Sequence, residues 1–112
     1  MKHHQTIEKG DVAILHLKSN LMGGPETDEI PGAIKELVDK NFKKFIVDLS
    51  AVEWMNSTGL GVLVRSISEV KTANGTLLLA GTTHKISQLM VITQLDRMFT
   101  SYATVDEALG KL

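Results

Sequence analysis

The chain has 112 residues, 43% of them apolar and 22% charged, with 12 basic against 13 acidic side chains and a formal net charge of -1. That length supports one hydrophobic core, and the charge balance offers neither the basic footprint of a nucleic-acid binder nor a polybasic membrane anchor. The absence of cysteine excludes disulfides, thiolate metal sites and cysteine nucleophiles.

No stretch approaches the roughly 18 apolar residues of a membrane span. The opening "MKHHQTIEKGDVAILHL" has no apolar segment of signal-peptide length. A soluble, cytoplasmic protein is the expectation. Nothing downstream completes a metal site with His3 and His4, which are read as a solvated, mobile terminus. There is no repeat, linker or low-complexity tract, so residues 1–112 are read as a single domain.

Strands are predicted at 5–8 and 12–17, joined by a hairpin turn at Gly10. "NLMGGPETDEIPG" then breaks the pattern, and Ile30, Ile34, Leu37 and Val38 share one face of a following helix. Pro25 suits a first helical position, but that choice would leave Pro31 in the interior. With Asp28 as the cap, Pro31 falls in the first turn, and a regular helix over about 29–40 is favoured. "KFIVDL" (44–49) is apolar nearly throughout, as buried parallel strands are.

The next helix carries Leu60, Leu63, Val64 and Ile67 inward, with Arg65, Ser66, Ser68, Glu69 and Thr72 outward, and closes at Asn74-Gly75. "TLLLA" (76–80) is a second buried strand. A helix over about 84–93 places Ile86, Leu89, Met90 and Thr93 together. A short strand around 98–102 follows, and Thr104 with Glu107 forms a capping box for a last helix. The alternation predicts a small α/β domain with a mixed sheet of about five strands and about four helices.

Between the strand ending at Asp48 and the following helix stands Asn56-Ser57-Thr58-Gly59. The carboxyl edge of such a sheet is where functional groups collect. One polar residue suffices to cap a helix; an amide, two hydroxyls and the glycines Gly59 and Gly61 exceed that need.

Enzyme readings each lack a part. A phosphate loop needs a lysine after its second glycine, and a dinucleotide fingerprint needs three glycines. A nucleophile elbow needs glycine where Met55 stands. A serine triad would have to recruit His16 or His84, which are read as a packed or edge strand residue and an early helix residue. Asp48 is read as a satisfier of nearby backbone donors. A serine without a base is a poor nucleophile but a good phosphoryl acceptor, gaining about 1.5–2 negative charges when modified.

"VDLSAVEWMNSTGLGVLV" resembles the signature of STAS domains, more closely the single-domain anti-sigma-factor antagonists of bacteria. "ANGTLLLAG" and "VITQLDRMFTSYATVDEAL" extend the likeness over almost the whole chain. The resemblance implies a non-catalytic switch with no cofactor. The unmodified antagonist binds an anti-sigma factor that is also a serine kinase and thereby regulates transcription. Phosphorylation of Ser57 releases that partner, and a serine phosphatase restores the first state. It also implies a partner-binding surface of Asn56, Thr58, Gly59 and Gly61, bordered by the loop residues Leu21, Met22 and Gly23.

Two departures stand out: Asn56 replaces the family's frequent aspartate, and "LMGGPET" replaces a more acidic loop. Members of the family also serve as scaffolds in signalling assemblies or as accessories of lipid transporters; a small serine hydrolase is the enzyme-class alternative. The oligomeric state is left open between monomer and weak dimer.

Overall fold

The computed structural model describes residues 3–112. Strands β1 (His4–Lys9) and β2 (Val12–Leu17) form an antiparallel hairpin, followed by helix α1 (Pro25–Asp39) and strand β3 (Lys44–Asp48). Helix α2 (Ser57–Thr72), strand β4 (Thr76–Ala80) and helix α3 (His84–Ile92) come next. A 3-10 turn (Asp96–Met98), strand β5 (Ser101–Tyr102) and helix α4 (Val105–Leu109) complete the chain. The sheet runs β1-β2-β3-β4-β5 and is parallel from β2 onward. This is the expected mixed five-stranded α/β architecture.

Alternation along the strands sends successive side chains to opposite faces. Ala13, Leu15, Phe45, Val47, Leu77 and Leu79 face one side, where Ile30, Ile34, Leu63, Ile67, Ile86 and Met90 of α1, α2 and α3 cover them. Full burial of such a side chain contributes about 1.5–3 kcal/mol, so this interface supplies most of the stabilisation. Val12, Ile14, Ile46 and Leu78 face the other side, beneath Ala108 of α4. The register Ile14↔Ile46↔Leu78 keeps that second layer continuous across three strands.

Several elements depart from expectation. Helix α1 starts at Pro25, with Gly24 as cap, and Pro31 stands in its interior. The loop before it supplies the reason: Glu26 accepts the Met22 N–H at 2.9 Å, and Thr27 Oγ1 accepts the Gly23 N–H at 3.0 Å. These bonds secure a turn that the pattern alone undervalued, against the loss at Pro31 of one i→i−4 amide. In α2, Ser66 is buried rather than outward, and its hydroxyl donates to the Val62 carbonyl at 2.8 Å. Thr93 is exposed just beyond α3, and β5 is shorter than predicted because the 3-10 turn takes up residues 96–98.

The histidines near the start are the largest correction. His4 opens β1 and is buried, and its Nδ1 lies 2.7 Å from Glu29 of α1; His3 Nδ1 lies 3.3 Å from the same carboxylate. A buried imidazole needs a partner, and the carboxylate of α1 provides it. These residues are tethered, not solvated and mobile.

Candidate functional site

The site is built from two loops fastened to each other. The segment after β2 carries Asn20, whose Oδ1 accepts the N–H groups of both Glu53 and Trp54, at 2.9 and 3.1 Å. Leu21 and Met55 form an isolated parallel bridge, with Leu21 N–H donating to the Trp54 carbonyl and Asn56 N–H to the Leu21 carbonyl. Leu21, Val52 and Met55 are buried, so the bridge rests on the core. A pair of loops joined by this many backbone bonds is held rigid, and whatever it displays is pre-positioned.

Asn56 joins that pair to α2. Its Oδ1 accepts the Gly59 N–H at 3.0 Å, capping the helix, while its Nδ2 donates to the Met22 carbonyl at 2.9 Å. The cap contributes about 0.5–2 kcal/mol. The second bond needs an amide, which explains in this chain the departure from aspartate: a carboxylate has no proton to give.

Gly59 permits the crossing of the two elements. A Cβ there would overlap the Leu21 carbonyl oxygen and lie 2.7 Å from Leu21 Cβ. Gly23, at φ +87°, packs against Thr58, its own Cβ position lying 3.4 Å from Thr58 Cβ. Glycine is suited both to the left-handed backbone at residue 23 and to the close approach at residue 59.

What emerges at the surface is Ser57, first residue of α2, with Thr58 beside it. Met22, 46% exposed, and Trp54, 44% exposed, border the same two loops. The amides of the first helical turn have no helical carbonyl to bond and leave partial positive charge at this end. Of the other residues expected at a partner surface, Asn56, Gly23 and Gly61 are half-buried, and Leu21 and Gly59 are buried. Leu21 and Gly59 shape the platform from beneath. Sequence reasoning passed over Asn20, Glu26, Thr27 and Trp54. The run of amide, acidic and hydroxyl residues around two glycines was the available signal for the first three, and nothing local marked Trp54 as exposed.

The histidines considered for a triad lie elsewhere. His16 Nδ1 is 2.6 Å from Asp48 Oδ2, across the β2–β3 pairing, and His84 begins α3. Burial pushes the Asp48 carboxyl up. The Ser50 N–H, the His16 ring and the Ser50 hydroxyl act against this and bring it below its ordinary value. Asp48 thus satisfies a backbone donor as expected and fixes the His16 ring through Nδ1. Among the described residues, neither imidazole hydrogen-bonds Ser57. No group of three or more histidine, aspartate or glutamate side chains could hold a metal ion among them, and no helix is long and apolar enough to cross a membrane.

Comparison with known proteins gives a consistent picture. The family model described as the STAS domain matches residues 3–108. A provisionally named anti-sigma factor antagonist of Thermotoga neapolitana is 34% identical over 77 residues, spanning 69% of this chain and 68% of its own. The crystal structure of a provisionally named anti-sigma factor antagonist from Thermotoga maritima superimposes with a TM-score of 0.80 at 26% identity, covering 96% of this chain and 92% of that one. The phosphorylated form of the Bacillus cell fate determinant SpoIIAA shares the fold at a TM-score of 0.74 and 16% identity, over 96% of this chain and 97% of that one.

Proposed function

The chain belongs to the STAS domain family, and from that premise we propose that it is an anti-sigma-factor antagonist whose partner binding is switched at Ser57. The observation that carries the reading is the exposed Ser57 hydroxyl at the start of α2, on two loops locked together by Asn20, Leu21 and Asn56. Two relatives above 30% identity carry the name of anti-sigma factor antagonist, which supports the same role.

The unmodified platform binds an anti-sigma factor and so frees a sigma factor for transcription. That partner is a serine kinase: the γ-phosphoryl group of ATP passes to Ser57 Oγ, the hydroxyl proton leaves to a base of the kinase, and ADP is released. The chain contributes the acceptor and its rigid placement, not the chemistry, and needs no cofactor. Phosphorylation puts about 1.5–2 negative charges into a contact suited to a neutral hydroxyl. Desolvating that added charge against a partner with no group placed to bind it costs several kcal/mol, so the complex separates. A serine phosphatase hydrolyses the phosphoester and restores the binding form. The cytoplasm, where ATP and the transcription machinery meet, is the place this mechanism requires.

Incubation with the anti-sigma kinase of the same cell and ATP tests the reading. Intact-mass and fragment spectra are expected to show one phosphate, on Ser57, and none in Ser57→Ala, which still binds the kinase. A phosphate on Thr58 alone would remove the assignment.

A further inference from the structure

Arg65 stands on α2 two turns beyond Ser57, and Gly61 lies midway, at the same four-residue spacing from each. The three positions therefore follow one ridge of the helix. Each step along it climbs about 6 Å, four residues at about 1.5 Å apiece. Helical side chains lean toward the amino terminus, and Arg65 does so: its Nη1 comes to 3.6 Å from the point that a Cβ on Gly61 would occupy. The guanidinium has already crossed the first of the two steps back to Ser57. Gly61 has no side chain to cover the second. Arg65 is exposed and, among the described residues, forms no salt bridge with any carboxylate.

We propose that Arg65 is the intramolecular counter-ion of a phosphate on Ser57, reaching it through the gap that Gly61 leaves on the surface of α2. The inference rests on the reading of Ser57 as the phosphorylated residue and adds where the phosphate goes. Its oxygens project beyond the serine Oγ, closing the remaining gap from the other side, and the planar fork of arginine matches two of them at once. Glycine at 61 then has a second use beside any contact with a partner: a larger side chain would hold the two groups apart. The phosphate lies along α2 instead of standing free, so the modified chain presents a changed helix face as well as a changed charge. Arg65 is a positioning residue here and takes no part in phosphoryl transfer.

The test uses the 112-residue chain with phosphoserine placed at 57 during translation, so that no kinase is needed. The phosphate is titrated by phosphorus NMR in the wild type, Arg65→Gln, Arg65→Lys and Gly61→Leu, with circular dichroism to verify folding. A free phosphoserine titrates at about 6. An adjacent guanidinium favours the dianion, so the wild-type midpoint is expected to lie at least about half a unit below that of Arg65→Gln. Gly61→Leu, which keeps the arginine but fills its route, is expected to match Arg65→Gln, and Arg65→Lys to fall between. Equal midpoints in the wild type and Arg65→Gln would overturn the proposal. A wild-type midpoint in Gly61→Leu would overturn the route. Whether Ser57 is used at all is read separately, from kinase and ATP on the unmodified chain, so the two failures are distinguishable.

Discussion

Asn56 and Met22 are joined side chain to backbone, the Asn56 amide donating to the Met22 carbonyl at 2.9 Å while its oxygen caps α2. One residue thus starts the helix and fastens the loop beside it. Asn56→Asp keeps the cap but loses the donor and turns a carboxylate toward a carbonyl oxygen. It is expected to cost about 1 kcal/mol, a fall of about 4–8 °C in Tm for a domain near this size. Asn56→Ala loses the cap as well, worth about a further 0.5–2 kcal/mol. Thermal unfolding of both variants checks the order, and an unchanged Tm in Asn56→Asp would show that the amide donor contributes nothing.

Two helical glycines are expected to answer alanine with opposite signs. At Gly32, on the exposed side of α1, an added Cβ meets nothing within 4 Å. Gly32→Ala is expected to stabilise by about 0.5–1 kcal/mol through lower backbone entropy in the unfolded chain. At Gly59 the same methyl runs into the backbone of Leu21. Overpacking of about 1–3 kcal/mol exceeds a helix-propensity gain of about 1 kcal/mol, so Gly59→Ala destabilises. Urea unfolding of the pair gives both signs in one experiment; a stable Gly59→Ala would mean that the loop moves aside freely.

Acid is expected to act through Glu29. Burial pushes its carboxyl up, but the His4 ring, the His3 N–H and the His3 ring donate to it and outweigh that effect, lowering it from 4.5 to about 2. The folded value lies below the unfolded one, so the stabilisation is complete above about pH 4.5 and is lost as pH falls toward about 2. Glu29→Gln is expected to be less stable at neutral pH and to lose less Tm between pH 5 and pH 3 than the wild type. The residual slope belongs partly to Asp48, whose carboxyl is also lowered. Equal slopes in the two proteins would contradict the role given to Glu29.

The periodic elements were legible because they are set by local pattern. The strands at 12–17 and 76–80 match the observed bounds, and Gly10, at φ +60°, makes the predicted turn. What escaped was set by contacts distant in sequence. The start of α1 depends on side chains of Glu26 and Thr27 reaching back to the loop. The burial of His4 depends on Glu29, 25 residues away. Ser66 lies inward because a hydroxyl bonded to its own helix can be buried at small cost. At the site, the polar junction itself stood out in the sequence. The amide that Asn56 gives to Met22 and the crossing of Leu21 over Gly59 needed the two loops side by side.

Calorimetric titration of the anti-sigma kinase with unmodified and Ser57-phosphorylated chain, with unfolding curves of both forms, tests the central claim most directly. An anion near a helix start is favourable by about 0.3–1 kcal/mol, so phosphorylation is expected to leave Tm unchanged or slightly raised. A desolvated charge against a partner suited to a hydroxyl is expected to weaken binding by at least about tenfold, each 1.4 kcal/mol being a factor of about ten. Equal affinity of the two forms, or a phosphorylated chain that has lost its cooperative unfolding, would contradict a switch that works at the interface alone.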